Sequence, residues 1–211
     1  MSPRVADASV RTALIEAAAA LIASEGTGAL TLRRLADEVG TSTMAIYTHF
    51  GSMDELRREL RREGFARLSD HLSLVEESND PVADLVLLGW EYYLNATANP
   101  HLYRVMFMER PVDEEDAVEG LGTFEQLVRG VRRCIDAKRF DEAEPTELAT
   151  PLWAVNHGIV TLELAQMLTS DQAIDCLAVA GTNLFKAYGD DPRATGRSLA
   201  QARRRAGLDG G

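Results

Sequence analysis

The fold is decided by Thr31–Phe50, T-L-R-R-L-A-D-E-V-G-T-S-T-M-A-I-Y-T-H-F. Leu32, Leu35, Ala36 and Val39 recur at helical spacing and stop at Gly40, which predicts two short helices joined by a tight turn. Ala36 is small where two helices must approach, Gly40 can take the left-handed conformation that ends the first helix, and Ile46 anchors the second helix on the first. Phe50, four residues on, continues the same buried face. Ser42, Thr43, Ala45, Tyr47, Thr48 and His49 remain outward, with Met44 near the boundary. Their hydroxyls, imidazole and methyl groups suit phosphates, base edges and thymine methyls. A plain amphipathic hairpin would share this pattern, and the residues C-terminal to Phe50 decide between the two.

Those residues are Gly51-Ser52-Met53-Asp54-Glu55-Leu56. Ser52 is a good N-cap, Glu55 stands in capping-box position, and Leu56 and Leu60 begin a new helical face. A further helix therefore starts beside the second one, with free backbone amides that a phosphate can meet. On these residues the run T-L-R-R-L-A-D-E-V-G-T-S-T-M-A-I-Y-T-H-F-G-S-M-D-E-L resembles the DNA-binding region of the tetracycline-repressor (TetR) family of bacterial transcription regulators. The preceding helix fits as well: Ala13, Leu14, Ala17, Ala18, Leu21 and Ile22 share one face and Gly26 ends it. Three residues depart from the family pattern: Thr41 replaces a valine-like residue, Met44 a small residue or proline, and Gly51 a lysine that commonly touches a phosphate.

The resemblance implies an all-α chain of about nine helices. A three-helix DNA-binding domain would span residues 1–52, a helical ligand-binding and dimerisation domain 53–190, and a flexible basic tail 191–211. Residues implied to contact DNA are Thr31, Arg33, Ser42, Thr43, Met44, Ala45, Tyr47, Thr48, His49 and Ser52.

The chain has 211 residues, of which 45% are hydrophobic, enough to bury a real core. No apolar run approaches the roughly 20 residues that span a bilayer, and M-S-P-R-V-A-D-A lacks the apolar core of a signal peptide, so a cytoplasmic protein with no membrane partner is expected. Cys134 and Cys176 have no metal-type spacing, which favours reduced structural thiols over a disulfide or zinc site, and no cofactor is expected.

The net charge of −11 argues against nucleic acid until it is located. Residues 1–70 carry 9 basic and 10 acidic side chains, residues 71–190 carry 8 and 21, and residues 191–211 carry 5 and 2. The acidity is thus in the middle, and local field rather than net charge steers an encounter with DNA. Arg4, Arg11, Arg33, Arg34, Arg57 and Arg58 are the candidates to face the backbone; Arg61, Arg62 and Arg67 read as a solvated helix face.

A helix is predicted from Met53 to about Leu72, and Pro81 opens another carrying Val82, Leu85, Leu88, Trp90 and Tyr93. A short helix comes next, over His101–Met108. Pro111–Gly122, acidic and glycine-containing, reads as a surface loop. Phe124, Leu127, Val128, Val131 and Ile135 mark the next helix, whose basic residues complement its C-terminal dipole.

The last two long helices, about 146–166 and 171–188, are apolar over much of their circumference. A soluble protein most simply covers a second apolar face with a copy of itself, and Ala178, Ala180 and Gly181 would allow close approach. The family resemblance implies a four-helix-bundle homodimer, holding two recognition helices about 34–36 Å apart on successive major grooves of an inverted-repeat operator. Trp153, His157 and Gly158 also resemble the Trp, His-Gly signature of one C-terminal subclass. The same resemblance implies a small-molecule effector, with Trp90, Tyr93, Tyr103, Met106, Phe107, Phe124, Trp153 and His157 as candidate walls, although such a set is usually core. Ligand would then favour a state in which the Met53–Leu72 helix swings and the two recognition helices no longer fit their site. Two rivals remain: a ligand-binding dimer whose head ignores DNA, and an all-α enzyme, which the scattered histidines and lack of any nucleophile motif or phosphate loop disfavour.

Overall fold

The computed structural model describes residues 3–207, with side chains from Ser9 onward. Among them are eleven α-helices: α1 (Pro3–Glu25), α2 (Leu32–Val39), α3 (Thr43–Phe50), α4 (Met53–Ser73), α5 (Pro81–Ala98), α6 (Pro100–Met108), α7 (Glu114–Ala117), α8 (Leu121–Asp136), α9 (Pro145–Leu164), α10 (Ser170–Ala187) and α11 (Pro192–Arg205). The chain divides into two compact units, Met1–Arg67 with Asn99–Gly120 and Leu68–Ala98 with Leu121–Gly211. Residues 53–67 and 99–120 therefore group with the head, which extends it beyond the 1–52 read from sequence.

The head is built on α1. Leu14, Ile15, Ala18, Ala19 and Ile22 form one buried stripe and pack with Leu35 of α2, Ile46 and Phe50 of α3, Leu56 and Leu60 of α4, and Leu102 and Val105 of α6. Each of the leucine, isoleucine, valine and phenylalanine side chains contributes about 1.5–3 kcal/mol on leaving water. Arg61 of α4, expected on a solvated face, is instead buried. Its guanidinium donates to the Met106 and Glu109 carbonyls at the end of α6, and its Nε lies 3.2 Å from the Asp116 carboxylate. Asp116 is buried too, so the segment read as a loop between Pro111 and Gly122 contains the short helix α7, capped by Asp113, whose carboxylate accepts from the Asp116 N–H at 3.0 Å. A buried arginine needs such a carboxylate, and a four-residue helix is what delivers it.

The second unit is built on α5, buried at Val82, Ala83, Leu85, Leu87, Tyr92, Tyr93, Asn95 and Ala96. Val82 and Leu85 pack with Val131, Cys134 and Ile135 of α8, Ala149 and Leu152 of α9, Phe185 of α10, and Phe140. Burial pushes the Cys134 thiol up to about 12. The other face of α5 is covered by α11, where Ala202 packs on Ala83 and Leu87.

The segment read as a flexible tail is thus mostly the packed helix α11. Asp191 caps it, accepting from the Ala194 N–H at 2.9 Å, and Pro192 occupies the first turn. Its inward Thr195 and Ser198 hydroxyls and its Arg205 enter a polar cluster with partners far back in the chain. Arg139 holds Asp190 with two bonds of 2.6 and 2.8 Å and reaches Asp80 at 3.0 Å. Ser198 donates to the Asp80 carboxylate at 2.7 Å, and Thr195 to Asp190 at 2.6 Å. Buried Asp84 accepts from Arg133 at 2.8 Å and from Arg205 at 2.5 Å. Burial alone would raise the Asp84 carboxyl, but bonds from the Ser78 N–H and hydroxyl and from the two arginines hold it below its ordinary value.

Candidate nucleic-acid interface

The turn between α2 and α3 is a consequence of its glycine. Gly40 sits at φ 70°, ψ 36°, the left-handed conformation that side chains disfavour. That geometry lets the Gly40 N–H reach the Asp37 carbonyl at 3.3 Å and the Thr41 N–H reach the Ala36 carbonyl at 2.9 Å, closing the end of α2. Ala36 and Ile46 are buried between the two helices. Gly51 ends α3 at φ 74°, ψ −43°, so the residue standing where the family carries lysine has a backbone reason to be glycine.

Three of the hydroxyls singled out by sequence prove to be N-caps. Thr31 Oγ1 accepts from the Arg34 N–H at 3.3 Å, Ser42 Oγ from Ala45 at 3.1 Å, and Ser52 Oγ from Glu55 at 3.0 Å. They start α2, α3 and α4, and all three are exposed. A helix N-terminus presents free amides and a partial positive charge, and a capping hydroxyl still has its own proton to donate.

The outward face of α3 carries Thr43, Met44, Tyr47 and Thr48. Met44 is 70% exposed and Tyr47 48%, so Met44 lies well outside the boundary position read from sequence. Thr48 donates to the Met44 carbonyl at 2.9 Å, which directs its methyl group away from that bond. Ala45 and His49 are half-buried, and the His49 ring lies 6.0 Å from that of Phe50. A large apolar and a phenolic side chain left in water on an eight-residue helix are the unusual feature of this surface.

The arginines divide. Arg33 is exposed and forms no ion pair among the described residues. Arg34 is bound to Glu25, Arg11 to Glu59, Arg57 to Asp54, and Arg58 to Glu55 and Asp113. The Arg34 guanidinium holds the Glu25 carboxyl below its usual range. The Arg34 pair is exposed and the others are partly exposed, so solvent screens them and a phosphate can exchange for the carboxylate cheaply. The Arg4 side chain lies outside the described residues.

Profiles of two parts of a single family match the chain. Residues 14–60 match the profile described as bacterial regulatory proteins, tetR family, and residues 85–181 match the tetracyclin repressor-like C-terminal domain. The chain belongs to the TetR family. A relative at 23% identity over 158 residues, covering 75% of this chain and 72% of its own, is an uncharacterised helix-turn-helix transcriptional regulator of Mycobacterium tuberculosis. Solved structures share the fold. The TetR family regulator PfmR of Thermus thermophilus aligns with a TM-score of 0.70 at 19% identity, over 82% of this chain and 97% of that one. A tetR-family regulatory protein from Rhodococcus aligns at 0.74 and 18% identity, over 86% and 98%. This TetR-family chain is accordingly a DNA-binding transcriptional regulator with a C-terminal ligand-binding domain. None of its described helices is long and apolar enough to cross a membrane.

The aromatic residues read as effector contacts fall into both units. Tyr103 and Met106 are buried in the head, where Phe107 packs on Tyr103 and Phe65 at 4.9 and 5.6 Å between ring centroids. In the second unit Trp90 stacks on Tyr93 at 5.2 Å, Phe124 meets Trp153 edge-on at 6.0 Å, and the Tyr92 hydroxyl lies 3.1 Å from Nδ1 of His157. Tyr93 donates to Glu163 at 3.1 Å. Burial lowers the pKa of His157 below its ordinary value. A cavity of about 420 Å³ lies among α5, α8, α9, α10 and α11, and of the eight residues only Trp90 lines it. Ala178 and Gly181, read as allowing close approach of a second copy, also line this cavity. Sequence reasoning missed it because one wall is α11.

Proposed function

We propose that this TetR-family protein is a homodimer that reads an inverted-repeat operator with its two α3 helices and is released from it by a small-molecule effector, acting as a repressor in the cytoplasm. The observation that carries the reading is the exposed Met44 and Tyr47 face of α3, flanked by the capped N-termini of α2, α3 and α4. Thr43, Met44, Ala45, Tyr47, Thr48 and His49 take the base edges, while Thr31, Arg33, Ser42 and Ser52 take the phosphates.

Support for the dimer comes from apolar residues left in water on and beside α9 and α10: Trp153, Leu162, Met167, Ile174 and Val179. Large apolar side chains left in water along two neighbouring helices suit a partner surface, and a two-fold axis covers both copies at once. Effector bound in the second unit biases α4, the helix that runs on from the DNA-reading end, and so the spacing of the paired α3 helices.

The test is selection of a randomised duplex pool on the purified protein, with titration of the enriched site at several salt concentrations. An inverted repeat is expected, with affinity falling as salt rises and falling at least tenfold in Tyr47→Ala. A folded dimer that enriches no sequence would instead be a ligand-binding protein without an operator.

A further inference from the structure

We propose that the 420 Å³ cavity of the second unit binds an uncharged, largely apolar molecule with a single hydrogen-bonding group, met by the side-chain amide of Asn156. The inference rests on the effector reading above and gives that effector a chemical class. Its volume falls within the range of about 300–1,000 Å³ of small-molecule sites. The walls are aliphatic and aromatic except at three residues, Asn156, Asp175 and Arg203.

Asn156 projects from α9 toward α5, and the approach depends on Gly89: a Cβ there would stand 2.9 Å from the Asn156 amide nitrogen. This amide has no hydrogen-bond partner among the described residues, so both its donor and its acceptor remain available within an apolar wall. A ligand hydroxyl, carbonyl or N–H would satisfy it, and a purely hydrocarbon ligand would leave it unsatisfied.

The two charged residues set the charge of the guest. Asp175 of α10 and Arg203 of α11 are both exposed and form no ion pair with each other. Opposite charges on a rim cancel over the space between them and leave no net field favouring an anion or a cation. An ionised group carried inside would lose its hydration with no buried counter-charge to replace it. Carboxylates are therefore disfavoured although an arginine lines the site.

A matched pair of fluorescent probes tests this on the full chain. N-phenyl-1-naphthylamine is neutral, apolar and carries one N–H; 1-anilinonaphthalene-8-sulfonate is the same skeleton with a sulfonate. The neutral probe is expected to bind saturably and at least tenfold more tightly than the sulfonate. Gly181→Phe, which fills the cavity from α10 where only the Phe185 ring lies within 4.0 Å, abolishes binding while circular dichroism and gel filtration stay unchanged. Asn156→Leu weakens the neutral probe by about 3- to 10-fold and leaves 1-benzylnaphthalene, which lacks the N–H, unaffected. Equal binding to Gly181→Phe, or preference for the sulfonate or for decanoate over decanol, overturns the proposal. Displacement of the enriched operator by the neutral probe is read separately. A probe that fills the cavity without touching DNA affinity upholds the site's chemistry and removes its role as the effector site. Absence of probe binding in a protein that still holds its operator overturns the site's chemistry and leaves the operator reading intact.

Discussion

The DNA-reading helices of the head are started by bonds between neighbours in sequence, whereas the second unit holds its last helix by bonds across most of the chain. Thr31, Ser42 and Ser52 each cap a helix three residues on. Ser198 and Arg205 instead reach Asp80 and Asp84 across 118 and 121 positions. The lesson is that a surface which must present one fixed face can be specified locally, while a ligand-binding body depends on its last helix arriving.

The largest expected effect breaks the second arrangement outright. A chain ending at Asp191 loses α11, bares Ala83 and Leu87, and leaves Asp84 without Arg205; a loss of about 5 kcal/mol is expected, read as a collapse of the urea midpoint and an opened cavity. Ile46→Ala strikes the head, where the buried side chain joins α3 to α2; about 3 kcal/mol of head stability should go, with operator affinity falling alongside. Asp84→Asn keeps the shape but leaves Arg133 and Arg205 facing an amide. Both arginines are partly exposed, so about 2 kcal/mol is expected in chemical denaturation. Ser42→Ala removes one local cap, worth about 1 kcal/mol, and should weaken DNA binding more than it lowers the melting temperature.

The smallest effect is one of pH. His157 has a folded pKa below the ordinary value of 6.5, so the unfolded chain takes up the proton first as pH falls. Its contribution is absent above pH 6.5 and becomes a growing destabilisation below it, as the unfolded state is favoured. Denaturation midpoints between pH 7.5 and 5.5 should show this slope, and His157→Gln should flatten it.

The same contrast governs what could be read from the residues alone. The bounds of α2 and α3 and the start of α4 were legible because cap, glycine and apolar spacing all lie within one or two turns. The arginine-rich end of the chain looked like a solvated tail because the carboxylates that receive it, Asp80 and Asp84, stand far away in sequence. One local signal did mark it: Asp191-Pro192 is a cap with a first-turn proline beside it, and Thr195, Ser198 and Ala202 come after at helical spacing with small inward side chains. Arg61 was misread for the same reason, since its partners Met106, Glu109 and Asp116 are 45 or more positions away. The aromatic set could not be sorted into core and pocket from sequence, because packed cores and ligand walls share a vocabulary of side chains.

The dependence on α11 has a genetic corollary. Premature stop codons near the end of a reading frame are commonly tolerated, because terminal residues seldom carry contacts. Here a stop anywhere ahead of Arg205 would strip Asp84 of that partner, and one ahead of Leu199 would also take a wall from the cavity. Nonsense alleles within α11 should therefore behave as losses of the regulator.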